Sequence, residues 1–319
     1  MNNSKTTDKR TLFCMIYILL AGSLWGMMGL FVRGLASDGL TSVEISTFRS
    51  IGAAILMGAF LLFKDRQLFR IRIKDIWCFI GTGVVSLTFF NICYFTTIQR
   101  TSMAVAAILL YTSPIYIVLF SSFLFKEKIT RIKAVALIIA FVGVAFVTGV
   151  FSFSKASSGV LDISIMTILI GLGSGLGYAL YSIFGRYALE KNYSSQTITF
   201  YTFLFSAFGL AVCTLLFGRA DDGALFGTFS GMISKIMDGR VGIDIALIIG
   251  LSVVVTILPY LFYTKGLSGI ENGKAGIMAS IEPVVAAVLG MIVYGELLPL
   301  TGYIGIILVL SAIVMLNKE

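Results

Sequence analysis

Apolar stretches, each of about 17 to 25 residues and so long enough to cross a hydrocarbon core of roughly 30 Å as a helix, follow one another along almost the whole chain. Ten are expected, at 12–32, 43–63, 76–98, 102–125, 133–150, 161–185, 197–217, 243–264, 273–294 and 300–316. Only 13% of the 319 residues are charged and 58% are hydrophobic, against about 25% charged in an ordinary soluble domain. No water-soluble core absorbs that much apolar sequence, so the fold class expected is an all-α integral membrane protein with ten transmembrane helices. The first stretch follows a polar, basic tail at 1–11 with no small-residue cleavage site after it, which reads as a retained helix rather than a removed leader.

The net charge of +8 follows topology rather than a nucleic-acid surface. With the N-terminus in the cytoplasm, Arg66, Arg70, Arg72 and Lys74 fall in one cytoplasmic loop and Lys126, Lys128, Arg131 and Lys133 in another, with most of the 24 Lys and Arg residues on that side. Cytoplasmic loops carry such an excess, so both termini are expected in the cytoplasm, in a cell (plasma) membrane. The chain has no histidine, and Cys14, Cys78, Cys93 and Cys213 are isolated. No disulfide, metal site or cofactor is expected, and any titrating group must be a carboxylate, Tyr, Cys or Lys.

An internal repeat divides the chain. Moving residues 94–127 forward by 169 positions sets Tyr94 on Tyr263, Ala106 on Ala275, Pro114 on Pro283 and Glu127 on Glu296; an offset of 153 sets Trp25 on Tyr178 and Arg33 on Arg186. Each half, 12–150 and 161–316, then holds five helices. Five is odd, so the second half enters from the opposite face and the repeat is inverted. The loop KEKITRIK after the fourth segment is basic, whereas its counterpart GELLPLTG after the ninth has no Lys or Arg, as an outward-facing loop requires. Transporters with inverted repeats hold substrate near the midplane, where the repeats meet.

Four motifs, LWG at 24–26, FRSIGAA at 48–54, the run from Ala104 through Pro114 to Glu127, and its echo from Ala275 through Pro283 to Glu296, resemble the EamA family of the drug/metabolite transporter superfamily. The resemblance covers roughly 12–316. It implies a secondary transporter working by alternating access, and its characterised members move amino acids, amines, drugs or sugar derivatives.

Glu282 leads the candidate residues. Starting a helix near Gly273 puts it roughly 13 Å deep at about 1.5 Å per residue, and an acid at that depth is a functional-site hypothesis by default. It shares a helix face with Ala275, Ala279, Ala286 and Gly290, small residues that pack on a neighbour or border a cavity, so it should point inward. A structural acid held by Tyr or backbone is the competing reading. Pro114 and Pro283 lack an N–H and free the carbonyls of Leu110 and Ala279, pointing to kinked or broken lining helices; Pro259 could do the same. Trp25, Tyr94, Tyr111, Tyr178, Tyr181, Tyr260 and Tyr263 are candidate cavity aromatics, able to hold an ammonium by cation–π attraction or simply to pack.

Arg49 is expected to snorkel outward or hold a carbonyl rather than bind an anion, and the sequence leaves open whether it meets Glu282. Gly22, Gly26 and Gly29 map by the 153 offset onto Gly175, Ala179 and Ser182, which reads as a close-packing seam in each half. GLGSGLG at 171–177 is then a packing surface, and GIENGKAG at 269–276 lacks the spacing and the Ser or Thr of a phosphate loop. Leu225, Phe226, Phe229, Met232, Ile233 and Ile236 recur at helical spacing, so a short amphipathic helix is expected on the outer surface.

The expected function is a secondary active transporter of small polar metabolites, amino acid or amine-like, working as an exporter with a proton or exchange as the coupling step. A receptor or scaffold that moves nothing is the competing class, and drugs or sugar derivatives are the competing cargo. A membrane enzyme is excluded by the lack of clustered acids, bases or metal ligands. The topology makes a direct prediction: in intact cells an impermeant thiol reagent labels Ser157→Cys and leaves Gln67→Cys unlabelled, and the opposite pattern reverses the orientation.

Overall fold

The computed structural model describes the backbone of residues 2–149, 164–217, 229–238 and 241–317, and their side chains apart from those of residues 2–8, 229, 232 and 238. Among these residues every regular element is helical. Eight helices are long and apolar enough to cross a membrane: α1 Lys9–Ala36, α2 Ser42–Lys64, α3 Ile73–Arg100, α4 Met103–Leu124, α6 Ile165–Glu190, α7 Ser195–Phe217, α8 Val241–Leu267 and α9 Asn272–Tyr294. The remaining two expected segments form helices of 17 residues, α5 Arg131–Val147 and α10 Leu300–Leu316, about 25 Å long at 1.5 Å per residue. The molecule is a multi-pass membrane protein.

Caps at the helix starts follow from the sequence. Thr41 accepts from the Glu44 N–H while Glu44 accepts from the Thr41 N–H at 2.7 Å, a reciprocal capping box that opens α2. Ser102 and Thr130 cap α4 and α5 in the simpler way. Two helices are interrupted. In α4 a turn at Tyr111 and Thr112 separates Met103–Leu110 from Ser113–Leu124, and in α9 a turn at Ala279 and Ser280 separates Asn272–Met278 from Ile281–Tyr294. Pro114 and Pro283 occupy the first turn of each second piece, where a missing N–H costs least. The Ala279 carbonyl is not left free: it accepts the Glu282 N–H at 3.1 Å.

Pro259 leaves α8 unbroken. Its ring is accommodated by a π-helical stretch immediately before it, Val253–Ile257. A second π-helical stretch, Gly81–Thr88, lies in α3, where no proline is present, so the wider turn is not a response to proline alone. Hydroxyls stitch both stretches to the carbonyl five residues back: Thr88 bonds Gly83 O at 3.2 Å and Thr256 bonds Leu251 O at 2.8 Å. Such stretches concentrate at functional sites.

Glycines set the closest helix approaches. A Cβ on Gly22 would meet Ile281 Cγ2 at 2.5 Å and Ala279 O at 3.2 Å, and one on Gly26 would meet Glu282 O at 2.7 Å, so α1 lies directly on the α9 break. In the other half a Cβ on Gly175 would meet Thr112 Oγ1 at 2.5 Å and Leu110 O at 3.1 Å, which lays α6 on the α4 break. The expected seam ends there, because nothing lies within 4 Å of a Cβ on Gly29. Helices α5 and α10 pair through Gly143 and Gly305, each backing onto the other's carbonyl, and meet α9 through Val144, Val309 and Val284.

The amphipathic helix is present as Phe229–Asp238; Leu225 and Phe226 lie outside the described residues, as do the side chains of Phe229 and Met232. Ile236 packs toward Leu35, Leu251 and Val255, while Ile233 is exposed. Lys235 binds the buried Glu44 carboxylate at 3.0 Å and so ties this helix to the start of α2.

The seam yields a matched test. Gly26→Ala should cost about 1–3 kcal/mol by overpacking against backbone, read as a lower melting temperature of purified protein in detergent, whereas Gly29→Ala should melt no lower than wild type. Equal melting of the two variants would remove the seam from the account.

Candidate functional site

The site is assembled where the irregular helices meet. Trp25 on α1, Leu87 on α3, Tyr178, Tyr181 and Ser182 on α6, and Tyr260 and Tyr263 on α8 enclose a small cavity, large enough for about one water. The π-helical stretches lie next to it: Leu87 belongs to one, and Tyr260 follows the other by one helical turn. Ring centroids of Trp25 lie 5.1 Å from Tyr260, 5.3 Å from Tyr263 and 6.0 Å from Tyr178, and Tyr181 lies 4.8 Å from Tyr260. These separations suit the edge-to-face and tilted contacts that aromatic quadrupoles favour.

Two of the tyrosines are fixed by their hydroxyls. Tyr181 shares a hydrogen bond of 2.7 Å with Thr264, and Tyr263 one of 2.6 Å with Ser182. Both pairs are buried, so the rings are held and the phenols are already engaged. Neither Thr264 nor Ser182 stands out in the sequence as a site residue; a hydroxyl facing a tyrosine from another helix is visible only once the helices are docked.

Glu282 lies beside this box, two residues after the α9 break. The Tyr111 and Tyr178 phenols are its hydrogen-bonding neighbours, and Tyr94, Tyr260 and Arg49 lie within electrostatic reach. Its Oε2 is buried and without a hydrogen-bond partner. Tyr178 connects the two parts, since it both approaches the carboxyl and lines the cavity. Tyr94 stacks on Phe90 at 5.6 Å, and Phe90 in turn meets Tyr178 at 6.0 Å. All seven candidate residues, Glu282, Trp25, Tyr111, Tyr94, Tyr178, Tyr181 and Tyr263, therefore fall in one region.

Arg49 departs from expectation. It neither snorkels to solvent nor holds a carbonyl: the side chain is 4% exposed, and Nη1 faces the Met28 sulfur at 3.5 Å. No ion pair joins it to Glu282 among the described residues, although each lies in the other's field.

Glu127 and Glu296, matched by the sequence offset of 169, do different work. Glu127 accepts from the Asn272 and Gly273 N–H groups at 2.7 and 3.0 Å, placing an anion on the N-terminus of α9. Nearby the buried Lys133 pairs with Glu271, and Arg186 donates to the Leu267 and Ile270 carbonyls. At the opposite end of α9 the counterpart of Glu127, Glu296, pairs with Arg33 at 2.7 Å, both about half exposed. One end of α9 is thus held by several part-buried contacts and the other by a solvent-screened pair worth little by itself.

Among the described residues no cluster of His, Cys, Asp or Glu is arranged to hold a metal ion. The chemistry on offer is an acidic acceptor, phenol donors, aromatic faces and a buried guanidinium.

Comparison with known proteins finds membrane transporters. The model of the EamA-like transporter family matches residues 12–149 and 165–318. An uncharacterized transporter of Archaeoglobus fulgidus is 27% identical over 96% of this chain and 98% of its own length. The uncharacterized transporter YwfM of Bacillus subtilis is 25% identical over 95% of this chain and 93% of its own. An uncharacterized inner membrane transporter of Salmonella typhimurium, YicL, is 22% identical over 96% and 95%. A crystal structure superposes with a TM-score of 0.75 at 15% identity, covering 95% of both chains, and supports the fold alone.

The two kinds of tyrosine should separate experimentally. Tyr263→Phe keeps the ring and loses the Ser182 bond, so it should lower stability by about 1 kcal/mol with a smaller effect on the affinity for a stabilising ligand than a change at Glu282's own neighbours. Tyr111→Phe removes a donor to Glu282 and should shift that affinity. Thermal melts with and without ligand read both quantities.

Proposed function

We propose, from the premise that the chain belongs to the EamA-like transporter family, that it is a secondary active transporter of small, polar, amine-bearing metabolites. In this reading Glu282 is the counter-charge for the amine and the aromatic box receives its apolar part. The observation that carries the reading is the buried, unpartnered Glu282 Oε2 beside two phenols and next to the Trp25–Tyr178–Tyr260–Tyr263 box. A carboxylate oxygen left without a partner at membrane depth is costly, and a bound cation or a proton removes that cost.

Alternating access follows from the proposed architecture of ten membrane helices, with α5 and α10 included, as two inverted halves. Three features support it: the breaks in α4 and α9 match to within one residue under the 169 offset, the π-helical stretches of α3 and α8 end at equivalent positions, and Gly22 and Gly175 press on equivalent residues of the broken helices. Interrupted helices at corresponding places are what lines a midplane site in repeat transporters. The part-buried contacts at one end of α9 and the screened Arg33–Glu296 pair at its other end are candidate gates. Export, a plasma-membrane location and cytoplasmic termini complete the proposal, with coupling to a proton or to exchange at Glu282. No observation favours the receptor reading specifically.

Glu282→Gln tests the carrier role in proteoliposomes, since it keeps volume and hydrogen bonding but removes the charge. The variant should fold yet lose gradient-driven accumulation. If Glu282 only holds the amine, ligand affinity falls as well; if it only carries the proton, binding and exchange persist. A well-folded variant with wild-type binding, flux and pH response would return Glu282 to a structural role.

A further inference from the structure

The two halves of the chain make matching contacts at mid-depth and different ones at their ends. Under the offsets of 153 and 169, Gly22 presses on Ala279 and Ile281, and Gly175 on their counterparts Leu110 and Thr112. The same offsets therefore identify which end contacts one half makes and the other does not.

At one end of α9, Glu127 accepts from the Asn272 and Gly273 N–H groups at 2.7 and 3.0 Å, and Arg186 donates to the Leu267 and Ile270 carbonyls. An acid serves the start of α9 and a base serves the carbonyls just before it. The counterparts at the other end are Glu296 for Glu127, Met103 and Ala104 for Asn272 and Gly273, Arg33 for Arg186, and Ile98 and Thr101 for Leu267 and Ile270. Both charges are kept, and the N–H and carbonyl groups belong to the backbone, so the same arrangement can be built there. It is not the one made. Arg33 and Glu296 pair with each other at 2.7 Å, both about half exposed, and Arg33 lies over the Tyr294 ring at 4.3 Å. The start of α4 is capped instead by the Ser102 hydroxyl, which accepts the Val105 N–H. A cleft lined by Thr41, Val43, Phe95 and Ile98 lies beside it.

The reverse also holds. The counterpart of Tyr294 is Phe125, so Glu127, Arg186 and an aromatic ring stand ready to form the paired arrangement at the first end. Each end thus carries the residues for both arrangements and makes one of them.

We propose that the two arrangements exchange ends when the transporter changes face. Glu296 leaves Arg33 for the Met103 and Ala104 N–H groups and Arg33 moves to the Ile98 and Thr101 carbonyls, while Glu127 and Arg186 release the junction of α8 and α9 and pair over Phe125. This rests on the reading of the chain as two inverted halves working by alternating access, and it names the contacts of the second state. A carboxylate capping helix N–H groups outweighs an exposed ion pair, which contributes little. Each acid therefore favours the state in which it caps: Glu127 the present one, Glu296 the other. The Lys133–Glu271 pair has no equivalent, because its counterparts are Gly302 and Ser102, and it weighs toward the present state.

The test is the spin-label distance between Met103→Cys and Leu297→Cys in the full-length protein reconstituted in lipid, with the four native cysteines replaced by alanine. Both positions are exposed. They are the counterparts of Asn272 and Lys128, and Lys128 adjoins the Glu127 that holds Asn272, so they approach only in the second state. A long and a short component should appear. Glu127→Gln should raise the short-to-long ratio by roughly fivefold, the loss of about one cap, and Glu296→Gln should lower it. Lys133→Met touches none of the exchanging groups and should also raise the ratio, which keeps the test decisive if Glu127→Gln does not fold. The exchange is overturned if no variant shows a short component, or if Glu296→Gln raises the ratio, as the loss of a simple outer latch would. Labelling intact cells with an impermeant thiol reagent separates the underlying reading. If Met103→Cys and Leu297→Cys react from the same side and the ratio does not respond, the exchange alone fails; if they react from opposite sides, the inverted halves fail with it.

Discussion

A charge at membrane depth has no bulk water to stabilise it, so the protein must supply what water would. Around Glu282 that constraint organises most of what is distinctive in the fold. The carboxyl is surrounded by phenols and placed in reach of a guanidinium, while the exposed large side chains of the same helices are mostly Ile, Leu, Val and Phe. The same constraint governs the backbone. Interrupted helices are tolerated at such depth only where protein or a cavity covers them, and both breaks are covered: the α9 break by Gly22 and Gly26 of α1, the α4 break by Gly175 of α6. The glycines are there because a side chain would hold the covering helix away.

Rigidity and freedom are distributed unevenly around the box. Tyr181 and Tyr263 are tethered by buried hydroxyl pairs, whereas Glu282 Oε2 and Arg49 Nε are left without partners. Polar groups in a finished interior are normally satisfied. Two atoms of opposite charge without partners, set beside tyrosines tethered at Tyr181 and Tyr263, are the arrangement expected of a site that completes itself with a ligand. The π-helical stretches of α3 and α8 flank the same region from both halves, and each widens its helix where the box is built.

Much of this was legible in the residues, for identifiable reasons. Apolar length and the spacing of basic loops depend on composition, which survives without a structure. Depth alone made Glu282 conspicuous, and the two sequence offsets singled out Trp25, Tyr178, Tyr94 and Tyr263 before any contact was known. Other features depend on docking. Arg49 was expected to reach solvent or a carbonyl, because a lone arginine near a helix start usually can; here α8 packs close to it and Met28 caps it, and neither fact is local to FRSIGAA. Pro259 looked like a third break, yet a wider turn ahead of it absorbs the ring. The matching turn in α3 has no proline to announce it. Gly29 repeats the spacing of Gly22 and Gly26, yet a Cβ there would meet nothing within 4 Å, so it faces open space.

The central claim is that the Glu282 carboxyl faces the ligand from within the membrane. The most direct measurement is labelling of the protein in native membranes with dicyclohexylcarbodiimide, which enters lipid and attacks carboxyl groups shielded from water, followed by mass-spectrometric mapping of the modified residue. The account predicts modification at Glu282, suppressed by any compound that raises the melting temperature of wild type. An unmodified Glu282, or modification that such a compound leaves untouched, would contradict it.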